Sequence, residues 1–129
     1  MVKLSFALRR LPHLTHAEFS TYWFETHGPL VQSHAKALRI HRYVQTHGLE
    51  HPINEGFRAG RGGPEPYDGV AELWWTSLDD LGAATQTPEG QAAGQALLED
   101  EKRFIDLANS PLWIGEERLL VDGGEPSGG

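Results

Sequence analysis

The side chains best suited to proton transfer are concentrated near the start of the chain. All seven histidines fall within the first 51 of the 129 residues, and histidine is the side chain that most readily moves protons near neutral pH. His27 ends a run of residues with helical spacing that includes Trp23, whereas His41 and Tyr43 alternate as on one face of a strand. An imidazole can accept a proton while a tyrosine hydroxyl stabilises the resulting oxyanion. The pattern is compatible with acid–base catalysis, and surface or packing histidines are the alternative that the spacing leaves open.

Other kinds of site receive less support from the spacing. His13 and His16, and likewise His47 and His51, have spacings found between zinc ligands, but no cysteine or nearby aspartate completes either pair. A haem with a histidine axial ligand is equally disfavoured. The glycines at 60–63 lack the Lys-Ser/Thr of a phosphate-binding loop, and no G-x-S-x-G nucleophile motif occurs. We therefore expect neither a metal nor an organic cofactor.

Composition narrows the class of protein. Apolar residues make up 39% of the chain and the net charge is −7, which favours a folded protein and argues against a nucleic-acid partner. No apolar run reaches the roughly 20 residues of a membrane helix, and no secretory signal is recognisable. Cysteine is absent, which excludes disulfides and thiolate sites. We expect a cytoplasmic protein with a small-molecule partner, one domain over residues 1–121 and a flexible tail over 122–129.

The first half of the chain predicts strand, helix and strand. Residues 2–8 alternate apolar and polar side chains as a half-buried strand does. Thr15 and Glu18 have capping-box spacing and open a helix whose inner face carries Phe19, Trp23 and His27. Gly28-Pro29 should stop or kink that helix. A further helical stretch is expected over 30–38, and a strand over 39–47.

The second half repeats the order of elements. The Gly- and Pro-rich residues 48–69 predict a long loop that could act as a lid. A strand over 67–75 follows, then helix starts at Ser77 and Thr87, the latter helix continuing to Ala108, and a strand over 113–121. This α+β order, β-α-β-β-α-β, predicts a ferredoxin-like antiparallel sheet with helices on one face. The open face predicts a homodimer.

Several segments together resemble the EthD-like family of dimeric α+β-barrel proteins. The similarity runs from about residue 2 to residue 121, and its most specific part is the run from Phe19 to Leu30. The other matching segments are Thr15–Phe19, Tyr43-x-x-x-His47, Tyr67–Glu72, Trp74-Trp75-x-Ser77 and the acidic-aromatic run over 100–106. The resemblance implies a pocket between sheet and helices in each protomer. Members of the family include cofactor-free dehydratases, decarboxylases and a methylmuconolactone isomerase.

The resemblance sharpens the functional hypothesis. Isomerase-type members carry a histidine near the end of the first helix and a tyrosine on the second strand, matching His27 and Tyr43, with His41 also matched. Their cysteine on the third strand is replaced here by Leu73. We expect a cofactor-independent lyase or isomerase acting on a small oxygenated aromatic or cyclic metabolite, in which His27 is the acid or base and Tyr43 with His41 stabilises the oxyanion.

The expected binding residues and the competing functions complete the hypothesis. Trp23 and Trp75 would form pocket walls, and His34 would contact the substrate. Two alternatives stay open from the sequence: a cofactor-free monooxygenase of the same barrel architecture, and a non-catalytic small-molecule-binding protein. Oxygen consumption would separate the first from a lyase, and ligand binding without product would identify the second.

Overall fold

A four-stranded antiparallel sheet is the frame of the protein, and the computed structural model describes residues 1–124. Its strands are β1 (Val2–Leu8), β2 (Arg42–His47), β3 (Gly69–Trp75) and β4 (Leu112–Gly115), in the order β2-β3-β1-β4. Each neighbouring pair is antiparallel. The predicted ferredoxin-like arrangement is confirmed.

The first helical segment runs from residue 16 to residue 34 without a break. It consists of α1 (His16–Tyr22), one π-helical turn (Trp23–His27) and α2 (Gly28–His34). The predicted capping box is present, since the Thr15 hydroxyl accepts from the Glu18 amide and the Glu18 carboxylate accepts from the Thr15 amide. Of the two expected effects of Gly28-Pro29, a stop or a kink, the stop is wrong, because the helix continues to His34. The Gly28 amide donates to the Trp23 carbonyl five residues back, and Pro29 follows this π-helical turn directly, in the first turn of α2.

The second half contains three α-helices and a 3₁₀ turn. These are α3 (Pro52–Arg61), α4 (Leu78–Ala84), α5 (Pro88–Glu101) and the turn Leu107–Asn109. The side chains of Ser77 and Thr87 cap α4 and α5 as predicted. The expectation that the last helix reaches Ala108 is wrong, because α5 ends at Glu101. Phe104 and Ile105 follow it in a turn and are nevertheless buried. None of the helices in the described part of the chain is long and apolar enough to cross a membrane.

The predicted long loop over 48–69 is also wrong, because it contains α3. The His51 side chain caps the helix by accepting from the Ile53 amide, and Pro52 occupies its first turn. Gly62 ends it in a left-handed conformation with φ of 63°. Locally encoded caps thus produce a helix within a segment whose glycine content suggests a loop.

Three strand boundaries differ from the expectation. β2 begins at Arg42 instead of residue 39, where the backbone of Arg39 is left-handed with φ of 57° and cannot lie in a strand. β3 begins at Gly69 rather than residue 67, and β4 ends at Gly115 rather than residue 121. Of the tail expected over 122–129, residues 122–124 are exposed and irregular, and 125–129 lie outside the described residues.

The core lies between one face of the sheet and the two long helical segments. Phe6 and Leu8 of β1 pack with Phe19, Trp23 and other buried side chains of the same cluster, namely Ala71, Phe104 and Ile105. The rings of Phe19 and Phe104 are 5.6 Å apart, so α1 and the end of α5 meet over the sheet. This packing brings the end of the π-helical turn close to the end of α5.

Candidate functional site

A small cavity lies between the sheet and the helices. Its volume is about 50 Å³, which is room for water but not for an aromatic molecule. Three polar side chains line it, those of His27, Tyr43 and Glu101, together with the Trp23 ring. The rest of the lining is apolar: Phe6, Leu8, Val31, Ala71, Leu73, Leu97 and Ile105. Hydrogen bonds and charges in such an apolar surround act more strongly than they would in water.

His27 is the most enclosed polar group of this cavity. The π-helical turn places it on the inner face, where it is only 5% exposed and its ring lies 5.0 Å from that of Phe104. Its Nδ1 is 2.8 Å from Oδ2 of Asp100. Burial lowers the pKa of His27 below 6.5 even though Asp100 acts in the opposite direction. The imidazole is therefore neutral near pH 7, with its Nδ1–H donated to Asp100.

This hydrogen bond fixes what His27 presents to the cavity. With the proton on Nδ1, the Nε2 atom carries a lone pair and can act as a base. Nε2 has no hydrogen-bond partner within residues 1–124. Every side-chain nitrogen or oxygen atom in that range that is fully buried does have a partner, so Nε2 must be accessible to solvent. His27 therefore has the arrangement of a general base with its proton-accepting atom free.

Asp100 holds the imidazole in this orientation. Its carboxylate accepts the Tyr22 hydroxyl at 2.5 Å and Nη1 of Arg103 at 3.2 Å, besides the imidazole. Burial alone would raise the pKa of Asp100, but the hydrogen bonds from Tyr22 and His27 lower it below the ordinary value. An ionised carboxylate behind a histidine fixes the tautomer and stabilises the imidazolium that forms when Nε2 takes a proton.

Tyr43 faces the same cavity from β2 and is held by a row of polar side chains. Its hydroxyl accepts from Nε2 of Gln45 at 2.6 Å, and the same amide donates to the Trp23 carbonyl at 3.0 Å. The Oε1 atom of Gln45 faces Nε2 of His47 at 2.7 Å, and Nδ1 of His47 contacts the Ser20 hydroxyl. Because the Tyr43 oxygen is an acceptor here, its own O–H remains available as a donor. Burial raises the pKa of Tyr43 above 10, so the hydroxyl keeps its proton at neutral pH.

Glu101 is the third polar group of the cavity. Within residues 1–124 its carboxyl makes no hydrogen bond or ion pair, unlike that of its neighbour Asp100. Burial and the charge of Asp100 raise the pKa of Glu101 to about 7. Near neutral pH a substantial fraction of the protein therefore carries Glu101 as the neutral acid.

A second, more open pocket adjoins the first at Tyr43. It has a volume of about 230 Å³ and is lined by Phe24, Gln32, Tyr43, Gln45 and His47. Tyr43 is common to the two spaces, so its ring forms part of the wall between them. The enclosed cavity with His27 thus has a larger neighbour on the outer side of Tyr43.

The structure brings together three of the six site residues expected from the sequence. His27, Tyr43 and Trp23 line one cavity, whereas His41, His34 and Trp75 do not. His41 is exposed and precedes β2, although its position alternates with Tyr43. His34 lies at the end of α2, and Trp75 is buried with its Nε1 donating to the Leu38 carbonyl at 2.7 Å. These three are outside the cavity as it stands.

The sequence reasoning missed Asp100, Glu101 and Gln45. Asp100 and Glu101 are 73 and 74 residues beyond His27, so no local pattern joins them to it. A signal was present in α5, where these two acids fall between Leu97 and Phe104 on the predicted apolar face. Charged groups at inward positions of a helix indicate either a buried network or a site.

The histidine pairs weighed as metal ligands do not converge. Within residues 1–124, no group of three or more histidine, aspartate or glutamate side chains is arranged to hold a metal ion. His16 instead lies between Asp68 and the carbonyl of Gly48, and His51 caps α3.

The family is decided by the match to a domain model. The model described as the EthD domain matches residues 11–108, which include α1, α5 and all cavity residues except Phe6 and Leu8. The chain belongs to the EthD family. No curated protein gives a match.

Solved structures, two of them described as EthD proteins, share the fold described above. An EthD family protein from Bacillus halodurans is 27% identical, with 92% of this chain and 99% of that chain covered and a TM-score of 0.60. An EthD-like protein from Ralstonia eutropha is 18% identical, with 89% of each chain covered and a TM-score of 0.58. SnoaB, a cofactor-independent oxygenase from Streptomyces nogalater, is 14% identical, with 93% and 95% covered and a TM-score of 0.50. The EthD resemblance inferred from the sequence is confirmed.

Proposed function

We propose that the protein is a cofactor-independent lyase or isomerase that removes a proton beside a carbonyl group of a small oxygenated cyclic or aromatic metabolite. The observation that carries the proposal is the pairing of a free proton acceptor, Nε2 of His27, with a free proton donor, the hydroxyl of Tyr43, at one apolar cavity. Enolisation needs both functions at once, because the base takes the proton from carbon while a donor stabilises the oxygen that becomes negative.

The surrounding residues support this division of roles. Asp100 keeps the His27 imidazole in the Nδ1–H tautomer, so that Nε2 is basic before the substrate arrives. Gln45 occupies a lone pair of the Tyr43 oxygen, so that the tyrosine proton is directed away from it. A base of this kind contributes about 10²- to 10⁴-fold to the rate.

The substrate enters from the larger pocket beside Tyr43. The inner cavity of about 50 Å³ is far below the volume of an ordinary ligand site, whereas the adjoining pocket of about 230 Å³ approaches it. Tyr43 lines both spaces, so a substrate that reaches from the outer pocket to His27 must displace the Tyr43 side chain. The combined site suits a single small ring bearing oxygen substituents, with Trp23 as one wall.

A β-hydroxy ketone provides the direct test of the proposal. With 3-hydroxycyclohexanone, proton removal beside the carbonyl can be followed in D2O by proton NMR, and loss of water by the absorbance of the enone. We expect His27→Gln to lose about tenfold or more of the turnover with its fold retained, and the exposed-residue variant His13→Gln to retain the wild-type rate. An unchanged rate in His27→Gln, or no turnover by the wild type, would contradict the proposal.

Oxygenation is the second candidate. It is supported by the fold shared with the cofactor-independent oxygenase SnoaB and by the aromatic surround of Tyr43, where the rings of Trp23 and His47 lie 4.3 Å apart. Oxygen uptake on addition of an electron-rich phenol would favour this candidate over a lyase. Stoichiometric binding of the same phenol with neither oxygen uptake nor product would favour a binding protein.

The open face of the sheet supports a homodimer. This face carries Trp74, with the cations of Lys3 and Arg42 at 5.5 and 5.0 Å from its ring. On the same face, Trp113 of β4 is 53% exposed. A tryptophan exposed on a sheet face is typical of a subunit contact. Light scattering should give twice the monomer mass for the wild type and the monomer mass for Trp113→Glu, and a monomeric wild type would exclude the dimer.

A further inference from the structure

We propose that Glu101 is the general acid of the site, which protonates the substrate oxygen while His27 removes the proton from carbon. The inference rests on the proposed function and narrows it to dehydration of a β-hydroxy carbonyl compound. It goes beyond the His27 and Tyr43 pair because it assigns a second group that can transfer a proton at neutral pH.

The position of Glu101 on α5 is the first support. Leu97 and Glu101 are one helical turn apart, and both line the cavity with His27. Asp100, the adjacent residue, instead points to the imidazole and to the Tyr22 hydroxyl. Two neighbouring carboxyls thus serve the same histidine site from different sides, one behind the imidazole and one at the cavity wall.

The hydrogen-bonding state of Glu101 is the second support. Asp100 has three hydrogen-bond donors, whereas the Glu101 carboxyl has none within residues 1–124. Glu101 is partly exposed, so its carboxyl is hydrated while the site is empty and is free to bind a substrate oxygen.

The charges around Glu101 favour its neutral form. Asp100 on its own helix is ionised and repels a second negative charge. The two cations that follow Glu101 are paired with other carboxylates, Lys102 with Glu99 and Arg103 with Asp100. The facing groups from the other elements are the neutral imidazole of His27 and the protonated hydroxyl of Tyr43. The carboxyl is thus surrounded by one anion and two neutral groups, which is the environment of a carboxylic acid that donates its proton.

The protons balance over a complete dehydration. In the first step, Nε2 of His27 takes the proton from the carbon beside the carbonyl, the C–H electron pair forms a C=C bond, and the carbonyl oxygen takes the proton of Glu101 to give an enol. In the second step, the enol O–H returns its proton to the Glu101 carboxylate and the C=O bond reforms, while the electron pair of the enol C=C forms the double bond between the α and β carbons. The β-C–O bond breaks in the same step, and its oxygen keeps the electron pair of that bond, takes the proton held by His27 and leaves as water. Both side chains end in their starting states, and the products are an enone and water.

Two variants on α5 test the role of Glu101 against a structural one. With 3-hydroxycyclohexanone, kcat/KM of the wild type should fall above about pH 7, where Glu101 loses its proton. We expect Glu101→Gln to lose about tenfold or more of the rate and to lack this alkaline decline. Glu99→Gln removes an exposed carboxyl of the same helix and should keep the wild-type rate and profile.

The outcomes separate this inference from the proposed function. If Glu101→Gln keeps the wild-type rate and the alkaline decline while His27→Gln is inactive, Glu101 is not the acid and the function stands. If His27→Gln keeps the rate, the proposed function fails. Carbon-13 NMR of the Glu101 carboxyl adds a test that needs no substrate: titration near pH 7 supports the inference, and titration near pH 4.5 overturns it.

Discussion

Replacement of Glu101 by glutamine is expected to stabilise the folded protein, and the stabilisation should grow as the pH rises. The pKa of Glu101 is raised from 4.5 to about 7 by burial and by Asp100. Between these pH values the unfolded chain has already lost the proton that the folded protein still holds, so that the free energy of unfolding falls with increasing pH. Glutamine has nearly the same shape and no proton to lose, and it removes this penalty.

The size of the effect follows from the displacement of the pKa. Each pH unit of displacement corresponds to about 1.4 kcal/mol, so ionisation of Glu101 costs the folded protein about 3 kcal/mol above pH 8. Below about pH 4.5 both states hold the proton and the term vanishes. Glu101→Gln should therefore gain about 3 kcal/mol over the wild type between acidic and alkaline pH.

Urea unfolding across this pH range measures the difference directly. The free energy of unfolding of wild type and variant should diverge above about pH 5 and become parallel above about pH 8. Glu99→Gln, which alters an exposed carboxyl, should show no comparable divergence. A constant difference between Glu101→Gln and the wild type at every pH would refute the claim that this carboxyl is held neutral.

The remaining predictions concern the other side chains that shape the fold. His16 donates to the Asp68 carboxylate at 2.9 Å and to the Gly48 carbonyl at 2.7 Å. Burial lowers the pKa of His16, but these hydrogen bonds outweigh it and raise the pKa above 6.5. The stabilisation of the folded protein by the charged imidazole is fully present below pH 6.5 and is lost as the pH rises through the raised pKa. His16→Gln should therefore lose more stability at about pH 5.5 than at about pH 8.5 in urea unfolding, and equal losses would contradict this. Gly69→Ala should destabilise by about 1–3 kcal/mol, because a Cβ there would lie 2.5 Å from an indole carbon and 2.7 Å from a backbone carbonyl oxygen. Gly94 is an exposed position of α5 with open space around it, so Gly94→Ala should stabilise the protein by roughly 0.5–1 kcal/mol. A higher urea-unfolding midpoint for Gly69→Ala than for Gly94→Ala would contradict the close packing around Gly69.

The elements that could be predicted from the sequence are those encoded by neighbouring residues. The capping box at Thr15 and the caps at Ser77 and Thr87 each involve side chains within three residues of the amide they bind. The inward direction of Trp23 and His27 follows from their spacing of four residues on one helix. These predictions needed no knowledge of what the helices pack against.

The parts that could not be predicted depend on tertiary contacts or on locally mixed signals. Asp100 meets His27 across 73 residues of chain, so the base and its orienting carboxylate have no common pattern. His41 and Tyr43 alternate as on one face of a strand. The left-handed backbone at Arg39 moves the start of β2 to Arg42, so His41 lies before the strand and is exposed. The residues that cap α3, His51 and Gly62, are next to the helix in sequence, but the high glycine content of the segment favoured a loop.

The tautomer of His27 is the most direct test of the account. Nitrogen-15 NMR of the imidazole near pH 7.5 should show a protonated Nδ1 and an unprotonated Nε2 in the wild type, with the preference weakened in Asp100→Asn. That result would establish a neutral base whose free nitrogen faces the cavity. A proton on Nε2, or a charged imidazolium at that pH, would contradict the account, because His27 could then not accept a proton from a substrate.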